Sequence, residues 1–510
     1  MKRKNDSVVS MENHSENENR IVAERKEKLK KIKETYGELY PNIHKPSARA
    51  KTIIDEYDFM DRADLEKKRV LLSLAGRVIL KRNQGKTTFY VLKDSTGKIQ
   101  LYLNRDVLGE EKYSFQKLID LGDLVFCSGS LFKTMRGELT INCDEIEMLA
   151  KALQPFPEKF RGLQDPDLRY RNRHIDLSVN DETKRIFFQR SSIINRVREF
   201  MNNDGFLEVE TPMLHPIPGG ANAKPFITKH NALDQEMYLR VAPELYLKRL
   251  LVGGFEKVYE LNRSFRNEGI SVRHNPEFTM LEFYAAYQNY EWCMNFTEDL
   301  LNDVLAYVVG RKELVWDGHK IDMGVPFERL SFEEAIHKYI PGLGKSSLET
   351  KDEIIAILKS YGLTENINTE TISKEVLTVH LFEGLVEEKI IQPTFVMNHP
   401  IDISPLARKS EKNPSSAERF ELYIGGKEIA NGFSELNDPQ EQSTRMLAQA
   451  RQKDSGDDEA MYFDEDYIKA LEFGMPPAAG CGIGIDRLTM FVTNSHSIRE
   501  VVLFPALKRK

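Results

Sequence analysis

The sequence predicts an α+β protein of at least two domains, and three observations carry that prediction. A chain of 510 residues is too long for one core, which stops growing at roughly 250 to 300 residues. Five short alternating runs lie between Val70 and Ala150. Beyond a proline-rich stretch from Gln154 to Pro166, helical and alternating periods mix through to the C-terminus.

Residues 1–20 are rich in Asn, Ser, Glu and Lys with few large apolar groups, a composition that cannot offset the entropy of ordering, so a disordered tail is expected. Residues 21–65 read as a basic helical extension. Between residues 20 and 51 ten Lys/Arg stand against four Asp/Glu, a local excess that could follow a phosphate backbone although the whole chain carries a formal charge of -7. A solvated helix explains the same run equally well.

Residues 66–150 are expected to form a small barrel from the runs Val70–Val78, Thr88–Leu92, Lys98–Leu103, Asp123–Leu131 and Glu138–Met148. In the third run Ile99, Leu101 and Leu103 share one face and Gln100 and Tyr102 the other. A helix predicted over Tyr113–Leu121 gives the order of a five-stranded OB-type barrel, a fold that binds single-stranded oligonucleotides on an open face. A linker over 151–180 leads to the larger domain, 181–510. There Ile186, Ile193, Val197 and Phe200 recur at helical spacing, Gly205 stops the helix, and Phe206–Thr211 alternates as a strand that Pro212 ends. Residues 331–390 are helical and polar and read as an inserted subdomain.

Several function classes are excluded. No uncharged run exceeds thirteen residues, short of a membrane span, and the N-terminus has no apolar segment of the secretory kind, so the protein is expected in the cytoplasm with no membrane partner. The four cysteines, Cys127, Cys143, Cys293 and Cys481, form no Cys-x-x-Cys pair. Gly480 to Gly484 fails as a dinucleotide loop because its third glycine falls one position early, and Gly344-Lys345-Ser346 fails as a phosphate loop because Tyr339 stands where the first glycine belongs.

Three constellations carry chemistry. In the first, Tyr259–Gly269 and Glu277–Tyr284 read as strand, basic loop and strand. Period two places Phe278, Met280, Glu282 and Tyr284 on one face, while Arg266, Arg273 and His274 flank the turn and suit a polyphosphate. A surface ion-pair network is the alternative. In the second, Phe420 to Gly432 contains Gly425-Gly426, which suits a two-residue hairpin turn. That register sets Tyr423 opposite Glu428 and Glu421 opposite Ala430, making Glu421 and Glu428 diagonal neighbours roughly 7 to 8 Å apart. Two such carboxylates suit magnesium on ATP phosphates. In the third, Gly482–Leu488 runs into a helix predicted over Leu488–Val492, placing Arg487 near its N-terminus, where an anion or a stacked base is favoured.

Together these segments resemble the three signature motifs of class II aminoacyl-tRNA synthetases, and more narrowly their lysyl members of bacterial type, over nearly everything from Val70 to Phe504. Gly205–Pro212 is similar to motif 1, Phe265–Tyr284 to motif 2 and Gly482–Arg487 to motif 3. The resemblance implies a catalytic domain built on an antiparallel sheet flanked by helices, and a homodimer through motif 1. It implies that Arg266 and Arg487 are catalytic. ATP would be bound by Arg266, Glu268, Arg273, His274, Phe278, Glu421 and Arg487, with Phe278 and Arg487 sandwiching the adenine, and Glu421 and Glu428 would hold Mg2+.

For lysine it implies Gly220, Glu244, Arg266, Glu282, Tyr284, Asn431 and Glu435, with Glu435 and Tyr284 meeting the ε-ammonium. A buried ammonium needs such an anion. Strict alternation puts Glu435 on the face opposite Glu428, so this role requires a bulge or turn near Gly432. In the barrel, Phe89, Gln100 and Glu138 would read the anticodon. The chain departs from the family's pattern at Lys224, where arginine is usual, and at Ala478, where threonine is common.

The implied activity is that of a lysine-tRNA ligase that activates L-lysine with ATP and charges tRNA(Lys). An aspartate or asparagine enzyme of the same fold would want cationic specificity residues, against which Glu435, Glu282 and Tyr284 stand. A paralogue that lysylates protein would lack the barrel. A non-catalytic RNA-binding relative is opposed by Arg266, Glu421, Glu428 and Arg487.

Overall fold

The computed structural model describes residues 2–37, 40–156, 163–344, 348–364 and 372–509, with side chains from residue 19 onward. Part of the expected linker, residues 157–162, lies outside the described residues, as do Lys345 and Ser346. The chain divides into two units, Met1–Gly162 and Leu163–Lys510.

The first unit opens with a single helix over Lys2–Tyr36, where a disordered tail was expected for residues 1–20. Extending a helix costs far less than nucleating one, and the nucleus here is anchored. Ile32 is buried, and the Arg25 guanidinium donates to the carbonyls of Leu121, Ala152 and Gln154 at 3.0, 2.7 and 2.9 Å. Two short helices, Ala50–Tyr57 and Arg62–Lys68, follow.

Strands β1 (Leu71–Gln84), β2 (Thr87–Lys93), β3 (Lys98–Asn104), β4 (Leu124–Lys133) and β5 (Leu139–Ala150) close a barrel in the order β1-β2-β3-β5-β4. Closure leaves no sheet edge. The alternation read from the sequence holds: Tyr90, Leu92, Ile99, Leu101, Leu103, Val125 and Ile141 fill the interior. The helix expected over Tyr113–Leu121 begins earlier, as turns over Arg105–Leu108, Glu110–Phe115 and Gln116–Leu118.

In the second unit the linker is already helical, with Pro166–Arg171 capped by Asp165 and followed by Arg173–Val179. The strands are β6 (Leu207–Glu208), β7 (Leu214–His215), β8 (Ile227–His230), β9 (Gln235–Leu239), β10 (Lys257–Phe265), β11 (Glu277–Ala286), β12 (Glu313–Trp316), β13 (His319–Asp322), β14 (Glu328–Ser331), β15 (Thr394–Met397), β16 (Arg419–Ile424), β17 (Lys427–Ser434) and β18 (Ala478–Gly484). Eight of them form one sheet in the order β14-β15-β16-β17-β18-β11-β10-β6. It is antiparallel from β15 through β10, with a parallel pair at each edge.

Helices Asp181–Asn203 and Tyr290–Val309 cover one face of this sheet. Ile193, Val197, Met201, Phe296, Leu300 and Val304 pack there against Leu281, Phe283, Phe420, Leu422, Cys481 and Ile483 from the strands. The strand expected over Phe206–Thr211 shrinks to β6, which pairs with β10 through only Leu207 and Glu208 before the chain turns toward Pro212. The inserted segment folds as helices Phe332–Tyr339, Lys351–Ser360 and Lys374–Leu385 around its own apolar cluster. Among the described residues no helix is long and apolar enough to cross a membrane.

Candidate active site

Because successive strand residues point to opposite faces, the sheet that buries Leu281 and Phe283 under helices turns Phe278, Met280, Glu282 and Tyr284 the other way. There they line a cavity of about 410 Å³. Gly220, Glu244, Arg266, Glu268, Arg273, His274, Glu421, Glu428, Asn431 and Arg487 share its wall. Of the residues assigned to ATP, lysine and magnesium, only Glu435 is absent from that wall; it lies immediately behind it. A Cβ on the lining residue Gly480 would come within 2.7 Å of Glu435 Oε1 and 2.3 Å of the Tyr284 ring.

The cationic end is built by the β10–β11 loop and the helix Ile485–Thr493, which begins three residues before the predicted start. Arg266 lies over the Phe278 ring at 5.1 Å, and its buried Nε has no hydrogen-bond partner. Burial pulls its pKa down, opposed by Glu268, Glu428 and Glu282, so it offers an unspent donor to an anion. Phe278 therefore stacks under Arg266, and Phe278 and Arg487, expected to sandwich the adenine, both line the cavity. Arg487 donates to the Glu428 carboxylate and carbonyl at 2.9 and 3.0 Å. Burial opposes its charge, but Glu428 outweighs that and raises its pKa.

Arg273 reaches Glu388 at 2.6 Å. His274 is held below its ordinary pKa by burial and then by Arg487, so it enters the site neutral and can accept or donate. Asp486, which sequence reasoning passed over, joins two elements: it accepts from the Thr279 backbone N–H at 2.8 Å and pairs with Arg190 at 2.6 Å. Its signal was a carboxylate in the first turn of a helix beside an arginine.

The acidic hairpin differs from the expected register. Gly425 and Gly426 make the turn with φ of +61 and +70°, the mirror-image geometry that favours glycine, and Tyr423 faces Glu428 as expected. Beyond them the register shifts, so Leu422 faces Ala430 and Glu421 faces Asn431, not Ala430. The extra residue is Ile429, and this bulge flips the phase of everything after it. Asn431 and Phe433 therefore join Glu428 on the cavity side, and Glu435 follows in that phase. The irregularity that Glu435 required exists, three residues before Gly432.

Glu421 accepts from Arg419 at 2.6 Å and from the Tyr423 hydroxyl at 2.5 Å. Burial works against its ionisation, but His399 and Arg419 hold its pKa below the usual value. Glu421 and Glu428 thus present hard oxygen donors on one wall of the cavity, a donor set that fits Mg2+. Among the described residues no cluster of three or more His, Cys, Asp or Glu is disposed to hold a metal. Such a pair suits an ion that brings most of its ligands on phosphates and water.

Another part of the wall is anionic and buried, with Glu244, Glu282 and Tyr284 almost inaccessible. Glu282 is pushed up to about 8 by burial and then by Glu244, and Tyr284 donates to it at 3.3 Å. Glu260, directly across the strands from Glu282, is neutralised by Arg240 at 2.7 Å. Asn431 accepts from Arg419 at 3.2 Å. Gly220 has a φ of +90°, and a side chain there would meet Glu244 Cβ at 3.0 Å. Lys224, one of the two departures from the family pattern, pairs with Asp458 at 2.8 Å.

In the barrel, Phe89 and Gln100 share an outward face. Phe89 sits across from Tyr102 with ring centroids 5.1 Å apart, Tyr102 is 5.8 Å from Phe132, and Gln100 donates to Thr140 at 3.0 Å. Glu138 lies exposed just before β5. Tyr102 and Phe132 extend the aromatic surface beyond the one residue assigned to stacking.

Comparison with known proteins agrees with this geometry in both units. The family model "tRNA synthetases class II (D, K and N)" matches residues 165–508, and "OB-fold nucleic acid binding domain" matches residues 72–149. The chain is 53% identical over 97% of its length to a lysine–tRNA ligase of Variovorax paradoxus, covering 95% of that protein. It is 50% identical to those of Bordetella bronchiseptica and Azoarcus sp., again over 97% of this chain and 98% of each of those proteins. With both units matched and the full-length relatives at half identity, the chain belongs to the class II tRNA synthetase family and, within it, to the lysine–tRNA ligases.

Proposed function

We propose that the protein activates L-lysine with ATP to lysyl-adenylate and pyrophosphate and then transfers the lysyl group to the 3′ end of tRNA(Lys). The observation that carries this reading is one cavity whose wall combines Arg266, Arg273 and Arg487 with the buried carboxylates Glu244 and Glu282. The lysine carboxylate attacks the α-phosphorus of ATP and pyrophosphate leaves; a terminal ribose hydroxyl then takes the acyl group and AMP leaves. No side-chain nucleophile is required, because positioning and charge stabilisation suffice.

Arg266 holds the α-phosphate and the substrate carboxylate together, its unpartnered Nε supporting the role. Arg487 stabilises the nucleotide beside Glu428, and Arg273 and His274 take the terminal phosphates. Glu421 and Glu428 would hold Mg2+, which supplies charge neutralisation on the phosphates. Glu282, Glu244, Tyr284, Asn431 and Glu435 bind the two amino groups of lysine. Phe89, Gln100 and Glu138 read the anticodon, and motif 1, which exposes Leu207 and is followed by the exposed Met213 and Leu214, forms a homodimer. A cytoplasmic location fits four cysteines that are all free and buried.

ATP–pyrophosphate exchange with each amino acid in turn, without tRNA, tests the reading. Lysine alone should support exchange, and Arg266→Ala should lower it by at least about a thousandfold, in line with the loss of a main transition-state donor. Exchange driven by aspartate or asparagine would overturn the assigned side-chain pocket.

A further inference from the structure

Behind the acidic part of the cavity wall lies an ammonium of the protein's own. Lys248 lies one helical turn after Glu244 in the helix Glu244–Val252, and its side chain is fully buried. Its Nζ is 2.5 Å from Glu244 Oε1 and 2.5 Å from Glu435 Oε2, and it stands 5.2 Å over the Phe433 ring. An unpaired ammonium in such a place would be strongly disfavoured. This one joins Glu435, which on the proposed reading meets the ε-ammonium of lysine, to Glu244, which would hold its α-amino group.

We infer that Lys248 is a specificity-determining positioning residue: its ammonium ties Glu244 to Glu435, sets the separation between them, and leaves one oxygen of each for the two amino groups of a diamino acid. The inference rests on the lysine reading of the pocket. Both Glu435 oxygens are buried without a hydrogen bond; Oε2 is held by its ion pair with Lys248, and Oε1, toward the cavity wall at Gly480, is the oxygen left over. The charges also close. Glu244, Glu282 and Glu435 are three buried carboxylates, met by Lys248 and by the two ammoniums of a bound diamino acid, while Arg266 remains for the substrate carboxylate.

Burial lowers the pKa of Lys248, but Glu244 and Glu435 outweigh that and hold it well above its ordinary value, so the tie persists across the working pH range. Burial pushes Glu435 up, against the pull of Lys248. Ornithine, one methylene shorter, cannot span two acceptors held at the lysine separation.

The test is ATP–pyrophosphate exchange by the full chain and by Lys248→Met, which keeps the side-chain length and removes the charge. The expected result is a KM for lysine raised at least tenfold, a KM for ATP changed less than twofold, and a lysine-over-ornithine preference reduced at least fivefold. The pH above which lysine binds well should also move upward, because Glu435 has lost the cation that opposes its protonation. Unchanged lysine KM, preference and pH profile would overturn the inference.

If Lys248→Met does not fold, the double variant K248M/E435Q removes the Lys248–Glu435 pair and leaves Glu244 as the one carboxylate without its cation. Measured against E435Q alone, the added substitution should change lysine KM less than twofold; a further tenfold loss would make Lys248 a scaffold and overturn its specificity role. Should E435Q itself leave lysine KM unchanged, the pocket reading fails, and this inference with it. A raised KM in E435Q beside an unaltered K248M defeats the inference alone.

Discussion

Burial decides what individual carboxylates do here. Burial, and then the neighbouring Glu244, push the Glu282 carboxyl up from its ordinary 4.5 to about 8. A carboxyl whose pKa is raised on folding makes the native state bind more protons than the unfolded chain, so its destabilising effect grows as pH rises from about 4.5 to about 8 and is full above that. Glu282→Gln keeps the hydrogen-bonding shape without the charge. Without substrate, it should melt above the unsubstituted protein by about 2 °C or more at pH 8, with little difference at pH 4.5; calorimetry across that range checks it. Gly480 is the complementary case. Its missing Cβ is the space occupied by Tyr284 and Glu435, so Gly480→Ala should raise lysine KM at least about tenfold, as overpacking displaces a precisely placed group, while ATP KM stays close to its original value.

At the scale of elements, the site depends on joints between strands and helices. The bulge at Ile429 is one: without it β17 would deliver Asn431 and Glu435 to the apolar side of the sheet. Asp486 is another, tying the first turn of the helix Ile485–Thr493 to Thr279 in β11 and to Arg190 in the helix Asp181–Asn203. Asp486→Asn leaves the half-buried Arg190 with its hydrogen bond to the Thr279 hydroxyl but without its carboxylate partner, a change that costs about 1 to 3 kcal/mol. It should lower Tm by several degrees and raise the KM for ATP, since Arg487 follows Asp486 directly; a variant with unaltered Tm and ATP KM would show that the joint is dispensable. The Gly425-Gly426 turn was legible as a dipeptide, whereas the bulge was not, because nothing local distinguishes Ile429 from its neighbours.

At the scale of the whole molecule, the barrel and the large sheet have separate apolar cores, and on the proposed function they serve separate tasks. Activation should therefore survive damage to the barrel. Replacing Phe89 or Tyr102 with alanine removes a stacking surface worth about 1 to 3 kcal/mol per base. Charging of tRNA(Lys) should fall about 10- to 100-fold in kcat/KM while tRNA-free pyrophosphate exchange stays unchanged, and equal losses in both assays would contradict the division.

The amino-acid sequence by itself determined the α+β class, the five-stranded barrel, the three motif segments and the residues of the cavity wall. The class and the barrel rest on periodicity and turn chemistry, which are local, whereas the motif segments and residues such as Gly220, Glu244, Glu268 and Asn431 were assigned by resemblance to the family. The single helix over Lys2–Tyr36, the short β6, the register shift at Ile429, and the ties made by Asp486, Arg240 and Lys248 were decided only in the tertiary structure. Each depends on partners between four and nearly three hundred residues away in the chain, and the free energy of a buried charge is set by whichever groups the fold brings around it.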